Sequence, residues 1–237
     1  MEQLGTRHIY RQFNKEIKQL RNRVMKMGGL VEQQILRSIQ ALKSTDEELA
    51  KKIIEKDHKV NAMEVKIDEE CAQMLALRQP TASDLRMVVA VIKTITDLER
   101  IGDEAEKIAT MSVRICECGG KFQKRYAGIK HLGKHVATMV HDVMDAFARL
   151  DVDAAIQVVR ADVIADEEYQ SLLRQLLTYM MEDPRTITES LDVVWAARAL
   201  ERIGDHAKNI GEYVIYLVEG KDVRHIDIEE IEKDFLS

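Results

Sequence analysis

The sequence is poor in proline and glycine, which interrupt helices, in aromatic residues, and in the cysteines that build disulfide frameworks and thiolate metal sites. Its 237 residues include 2 prolines, 11 glycines, 3 cysteines and 5% aromatics, beside 32% charged residues. This composition departs from that of sheet proteins and favours long amphipathic helices. An odd number of cysteines without a CxxC pair argues against a disulfide framework and a thiolate zinc site, so we expect buried, reduced thiols. We predict an all-α fold.

Signals for export, membrane insertion and nucleotide chemistry are also missing. Charged residues interrupt the N-terminus from Glu2 onward, and no later stretch stays uncharged long enough to span a bilayer. We therefore expect a cytoplasmic protein. The formal net charge of −6 argues against nucleic-acid binding. No GxGxxG, P-loop, GxSxG or HExxH motif occurs, so the chain lacks the machinery that these motifs supply.

Apolar residues recur at helical spacing from Ile9 to Leu42 and predict one long first helix. A capping box at residues 45–48 predicts a second helix that runs to about Leu77, where Pro80 stops it. The next helix starts are predicted by capping patterns at residues 81–84 and 186–189.

The order of these signals occurs twice. The segment ALKSTDEELAKKIIEKD, residues 41–57, aligns without gaps to AFARLDVDAAIQVVRAD, residues 146–162, and LERIGD occurs at 98–103 and 200–205. Each half therefore reads as three antiparallel helices that close one core, which predicts two tandem, similar three-helix bundles. The predicted boundaries are residues 1–120 for the first bundle, 121–219 for the second and 220–237 for a short acidic tail.

The carboxylates of the repeated hexamer form a stripe beside its apolar face. At about 100° per residue, Glu99 and Asp103 project to one side with Glu106 close by. Glu201 and Asp205 repeat this arrangement. A glycine inside a helix and like charges one turn apart both cost stability, which the close approach of a neighbouring helix or a bound ion would offset.

The preceding helix of each half carries matching polar residues. Asp57 is followed one turn later by Asn61, and Asp162 is followed by Asp166. Two such stripes on adjacent helices can converge on a cation, and oxygen donors suit Mg, Mn, Ca or iron. Because Asn61 removes one charge, we expect the second site to bind more tightly. The candidate metal ligands are Asp57, Glu99 and Asp103 in the first half and Asp162, Asp166, Glu201 and Asp205 in the second.

A solvated face is the alternative reading of these charges. Arg100 and Arg202 have the spacing to pair with Asp103 and Asp205 along the same helix. The recurrence of the pattern in two otherwise diverged halves makes the metal interpretation about as strong as this one.

Two further features receive a structural interpretation. His131 and His135 have a spacing seen in metal sites, but no acidic partner is evident, which favours surface histidines. Trp195 precedes the second hexamer, and we expect it in the core.

Several motifs together resemble the PhoU family of bacterial phosphate-transport accessory and regulatory proteins. They are the two LERIGD copies, RQPTASDLR and MEDPRTI before the third and sixth helices, and HDVMDAFARLD in the fourth. The resemblance covers the chain except its tail and implies two similar three-helix bundles. It also implies metal clusters at acidic motifs that match Glu99 with Asp103, Glu201 with Asp205, and Asp162 with Asp166, with Mg, Mn, Fe or Zn as the candidate ions.

The same resemblance implies a cytoplasmic negative regulator of the phosphate-starvation response that is not an enzyme. Its partners would be the ATPase subunit of the phosphate ABC transporter, a sensor histidine kinase and a second copy of the chain, and it would reach the membrane through partners only. Two other classes stay open. A metal-dependent enzyme would lose turnover on chelation, whereas a purely structural helical adaptor would behave identically with or without metal.

Overall fold

All regular secondary structure in the described residues is helical, as predicted. The computed structural model describes the backbone of residues 2–78, 80, 82–117, 119 and 127–235, and the side chains of these from residue 15 onward except that of residue 78. No β-strand occurs in this part of the chain. The helices are α1 (Glu2–Ser44), α2 (Glu47–Ile54), α3 (His58–Arg78), α4 (Ala82–Glu117), α5 (Ala127–Arg149), α6 (Val152–Glu182), α7 (Ile187–Glu219) and α8 (Ile228–Phe235), with a 3₁₀ turn at Pro184–Thr186.

The predicted second helix is broken, which corrects the single helix expected up to Leu77. α2 ends at Ile54, and the turn that follows is closed by bonds from Lys56 N to the Ile53 carbonyl and from Asp57 N to the Ile54 carbonyl. His58 Nδ1 lies 2.7 Å from the Glu55 carbonyl oxygen, which the break leaves without a helical partner. The turn brings the Asp57 side chain towards α4, where it is buried.

The caps differ in detail from the predicted boxes but repeat between the halves. Asp46, rather than Thr45, caps α2 by accepting a bond from Leu49 N, and Asp151 caps α6 by accepting from Ala154 N. The residues before these caps, Thr45 and Leu150, both have left-handed φ angles, of 53° and 56°. The backbone therefore reproduces the ungapped alignment at the helix starts, whereas α6 continues as a helix through residues 160–162, which match the turn after α2.

The predicted cap at Thr186 is wrong. Its side chain makes no capping bond to α7 and donates instead to the Asp183 carbonyl oxygen at 2.8 Å. Asp183 caps the short 3₁₀ turn by accepting from Arg185 N. The pattern predicted at residues 81–84 begins at a residue outside the described ones.

The two bundles share one hydrophobic core. α4 packs along α7 and α1 packs against α5, so buried side chains of both halves form a continuous cluster. Leu98 and Ile101 of the first hexamer and Leu200 and Ile203 of the second are all buried within it, as the helical period predicts. The apolar faces of both hexamers therefore pack into one interior.

Two residues expected in the interior lie elsewhere. Trp195 is 60% exposed, because Val193, Ala196 and Ala197 take the inward positions of this turn of α7. Cys71 is buried and free, whereas Cys116 is only partly buried. Cys118 lies outside the described residues.

The tail contains a helix that packs on the second bundle. α8 contacts α6, with Ile231 buried and Arg160 Nη2 2.6 Å from Glu232 Oε2. The sequence left open whether this segment is helical. Among the helices whose placement is described, none has a stretch both apolar and long enough to span a bilayer.

Candidate metal centres

The first acidic cluster brings together Asp57, Asp103 and Glu106. One carboxylate oxygen from each lies within 4.8 Å of the other two. Asp57 comes from the turn before α3, and the other two come from successive turns of α4. Glu99, the predicted partner of Asp103, lies one turn away outside this group, while Glu106 takes part in it.

Asp57 is held in place by a residue that the sequence analysis missed. Gln34 of α1 is buried and donates from Nε2 to Asp57 Oδ1 over 3.2 Å. Gly102 faces both side chains, because a Cβ atom there would lie 3.4 Å from Asp57 Oδ1 and 3.5 Å from Gln34 Oε1. The glycine of the hexamer therefore gives the neighbouring aspartate room beside α4. The sequence signal that could have identified Gln34 is its position as a polar residue beside Val31 and Ile35, which are buried.

Burial and the charge of Asp57 disfavour the charged forms of Asp103 and Glu106 in this first cluster. Desolvation raises the pKa of Asp103 and Glu106, and the nearby Asp57 carboxylate raises both further. None of the described basic side chains forms an ion pair with the three carboxylates. Lys107, the residue after Glu106, has its ammonium 2.9 Å from Glu104 Oε1 instead. A bound cation would supply the missing positive charge.

The second acidic cluster consists of Asp166, Glu201 and Asp205, again with one oxygen of each within 4.8 Å of the others. Glu201 is 8% exposed, and its Oε2 is buried without a hydrogen-bond partner among the described residues. Burial, followed by the charge of Asp205, raises the pKa of Glu201 to about 7. All three residues were predicted as ligands.

Asp162, the fourth predicted ligand of this half, is engaged differently. Its Oδ2 lies 3.2 Å from the ammonium of Lys208, and the side chain is 3% exposed. A Cβ atom at Gly204 would lie 3.3 Å from Asp162 Oδ1, so this glycine also makes room for an aspartate. The approach of Asp57 to Gly102 is thus repeated by Asp162 and Gly204, but a lysine takes up part of the charge.

The alternative pairing of the hexamer arginines along their own helices is not seen for Arg202. Its Nε lies 2.8 Å from Glu104 Oε1 on α4, so this ion pair joins the two halves. Arg198, which the sequence analysis did not single out, lies 2.5 Å from Glu201 Oε1. The solvated-face interpretation therefore holds only in part, since the second cluster has an ion-paired arginine and the first has no ion pair to a basic side chain among the described residues.

Comparison with known proteins agrees with this architecture. Residues 24–111 and 129–214 each match the PhoU domain. A phosphate-specific transport system accessory protein PhoU homolog of Pseudomonas putida is 50% identical over 226 residues, which cover 95% of this chain and 88% of that one.

Two crystal structures are similar along almost their whole length. PhoU from Pseudomonas aeruginosa superposes with a TM-score of 0.85 at 49% identity, and the match covers 88% of this chain and 100% of the Pseudomonas chain. The phosphate transport system regulatory protein PhoU from Streptococcus pneumoniae has a TM-score of 0.83 at 31% identity and covers 89% and 99%. With both repeats matched and relatives this similar over nearly the whole length, the chain belongs to the PhoU family.

Proposed function

We propose that this chain is a metal-binding negative regulator of the phosphate-starvation response that couples the phosphate ABC transporter to a sensor histidine kinase. The names of its relatives support the regulatory part, since one is a phosphate-specific transport system accessory protein and another a phosphate transport system regulatory protein. The metal-binding part rests on one observation, the pair of three-carboxylate clusters at related places in the two repeats.

The side chains of both clusters fit a hard cation. Each offers oxygen donors alone, which suit Mg, Mn or Fe, with Zn as a further candidate. Asp57, Asp103 and Glu106 would hold an ion in the first half, and Asp166, Glu201 and Asp205 in the second. A cation supplies positive charge that offsets the repulsion and the burial cost described above.

Metal binding would stiffen the contact between neighbouring helices in each half. An ion at the first cluster ties the turn before α3 to α4, and an ion at the second ties α6 to α7. Regulation then requires that partners bind this stiffened form and the metal-free form with different affinities. We propose the ATPase subunit of the transporter and the kinase as those partners, with the protein acting as a homodimer in the cytoplasm and catalysing no reaction.

The regulatory part is tested by alkaline phosphatase output in phosphate-rich medium. We expect low output in the intact strain, high output in a strain that lacks this gene, and low output again when the protein is restored. Low output in the deleted strain would contradict negative regulation.

The metal part is tested separately with D103N/D205N, which removes one carboxylate from each cluster. We expect this variant to retain less metal after dialysis and to fail to restore low phosphatase output. E69Q, at an exposed carboxylate of α3, is the matched control and should behave as the unmodified protein. Loss of metal with full restoration of regulation would favour the metal-independent adaptor, and unchanged metal content would refute these clusters as binding sites.

A further inference from the structure

A cavity opens at the surface where the two repeats meet. It lies between α4 and α7 and has a volume of about 380 Å³. Trp195, which the sequence predicted in the core, lines it from α7, and Met111 lines it from α4. Four basic side chains share the lining, and they are Lys107, Arg114, Arg198 and Arg202. The cavity therefore combines an apolar surface with positive charge.

The positive charge of this lining exceeds the negative charge that the chain places beside it. Lys107 Nζ and Arg202 Nε lie 2.9 Å and 2.8 Å from the same oxygen, Glu104 Oε1. The Glu104 side chain is 4% exposed, whereas those of Lys107 and Arg202 are 60% and 45% exposed. Because two cations share one buried carboxylate, they keep charge and hydrogen-bond donors for an anionic group of another molecule.

The other two basic residues of the lining have acidic partners, but these partners are buried. Arg114 Nε lies 3.1 Å from Asp192 Oδ1, and Arg198 Nη1 lies 2.5 Å from Glu201 Oε1. The arginine side chains are 55% and 46% exposed, and the carboxylates are 2% and 10% exposed. The charged groups that the cavity presents to solvent are therefore basic.

The related place on the same helix pair is covered by the chain itself. When the two hexamers are aligned, Trp195 matches Lys93 and Met111 matches Tyr213. The Lys93 ammonium lies over the Tyr213 ring, 5.3 Å from its centroid, within the range of a cation–π contact. One of the two related places thus pairs its aromatic ring with a lysine of the chain, whereas Trp195 at the other is 60% exposed.

The apolar surface continues from the cavity along α7. Leu191 and Ile187 precede Trp195 by one and two turns, and they are 44% and 41% exposed. At 1.5 Å per residue, these three side chains follow one face of the helix for about 12 Å. An apolar line of this length matches two turns of a second helix better than a compact anion, and such exposed patches are typical of interaction sites.

We propose that the α4–α7 groove, which consists of the cavity and the line from Ile187 to Trp195, is a docking site for an acidic amphipathic helix of a partner protein. Apolar side chains of that helix pack on Trp195 and Leu191, and its carboxylates pair with Lys107 and Arg202. Apolar anchors one turn apart are the usual basis of helix-in-groove recognition, and tryptophan and arginine contribute strongly to such interfaces. The proposal does not depend on the regulatory role or on metal binding at the acidic clusters.

The test uses the full chain and a synthetic helical peptide that carries leucine along one face and glutamate on the others. Trp195 is the single tryptophan, so its fluorescence reports on the α4–α7 groove directly. We expect the peptide to change this emission to a saturating value, with an affinity that falls as salt is added. The same peptide with lysine in place of each glutamate should leave the emission unchanged.

Variants of the groove are compared through the fluorescence anisotropy of a labelled acidic peptide. W195A should weaken binding at least about tenfold, because it removes the exposed ring. K107Q should weaken it up to about fivefold, and Arg202 stays in place to pair with the buried Glu104. L36A and K134Q, at exposed positions of α1 and α5, are the matched controls and should bind as the unmodified protein does. Circular dichroism confirms that each variant is folded.

Several results would overturn the proposal. One is a Trp195 emission that the acidic peptide does not change, and another is equal peptide affinity of W195A and L36A. If inorganic phosphate or ATP changed the emission as fully as the peptide, the groove would be assigned to a small anion instead. If the emission changed with protein concentration alone and W195A abolished self-association, a second copy of the chain would be the occupant.

Discussion

The two acidic clusters lie in equivalent parts of the two repeats, yet their negative charge is balanced differently. In the first, Asp57 accepts a hydrogen bond from the neutral Gln34, and no described basic side chain forms an ion pair with the three carboxylates. In the second, Arg198 contacts Glu201, and Lys208 contacts the adjacent Asp162. The second half therefore contains part of its own counter-charge.

An exchange at two positions accounts for this difference. Glu106 stands three residues after the first hexamer, and Lys208 stands three residues after the second. In the first half, Asn61 stands where the second half has Asp166, and Glu106 supplies the third carboxylate of the cluster. In the second half, Asp166 supplies that carboxylate and Lys208 stands at the position that matches Glu106. The expectation that the second site binds more tightly counted Asn61 alone. It stays a prediction, but the exchange is an argument for the opposite order.

Substitutions in the core that the two halves share should have the largest effects on stability, and they test whether the halves unfold together. Leu98 and Leu200 occupy the same position of the two hexamers and are fully buried. We expect L98A and L200A each to lower the free energy of unfolding by about 2–5 kcal/mol, because each leaves a cavity. In urea, followed by circular dichroism, each should shift one common transition. Two separate transitions, only one of which moves in each variant, would mean that the halves unfold independently.

A buried carboxyl that occurs in the second half alone should give the next largest effect. Glu212 is buried, and desolvation raises its pKa from an ordinary 4.5 to about 7, while Thr110 stands at the equivalent place in the first half. A raised pKa favours the folded state below pH 4.5, and this contribution is lost as the pH rises through 7. Between these pH values, the shift of this one carboxyl changes the free energy of unfolding by at most about 3 kcal/mol.

E212Q should therefore be more stable than the unmodified protein at pH 8 and close to it at pH 5. The measurement is the unfolding temperature of both proteins in chelator at the two pH values. E219Q changes an exposed carboxylate on the same helix and should leave the pH dependence as it is. Equal stability of E212Q and the unmodified protein at pH 8 would show that Glu212 carries no burial cost.

Exchanging the residue types at Glu106 and Lys208 tests whether these two side chains determine how tightly each cluster binds a cation. We expect E106K to weaken cation binding at the first cluster and K208E to strengthen it at the second, each by at least about tenfold, since both replace one sign of charge by the other. Calorimetric titration with Mn²⁺ at pH 7.5 measures the affinities. E48K, at an exposed position of α2, controls for the change of net charge. Unchanged affinities in both exchanged variants would contradict the electrostatic account.

Helical period and internal duplication were enough to predict much of the fold and the three residues that the second cluster brings together, although Asp162 was predicted with them. They specify which residues share a face of one helix, and the apolar positions of both hexamers are buried accordingly. They do not specify how two helices are rotated against each other. For that reason the entry of Glu106 into the first cluster and the pairing of Asp162 with Lys208 were not predicted. Nor were the contacts that the Glu168 carboxylate makes with two histidines of α5, His131 and His135.

Local backbone choices were the other source of error. The break after Ile54 depends on hydrogen bonds that the turn makes within itself and with His58, and helical periodicity carries no signal for it. The capping box misplaced the start of α2 by one residue, because both Thr45 and Asp46 are able to cap and the left-handed φ of Thr45 decides between them.

The two aspartate caps give the smallest effects and test how far the repeats remain equivalent. Asp46 accepts a hydrogen bond from Leu49 N at 2.9 Å, and Asp151 accepts one from Ala154 N at 3.0 Å. We expect D46A and D151A each to reduce the free energy of unfolding by about 1 kcal/mol, because each leaves a helix N-terminal N–H without its partner. D46N and D151N keep an acceptor and should lose much less. A loss at one cap alone would show that the repeats have diverged even where their backbones coincide, as they already have in the charges around the two acidic clusters.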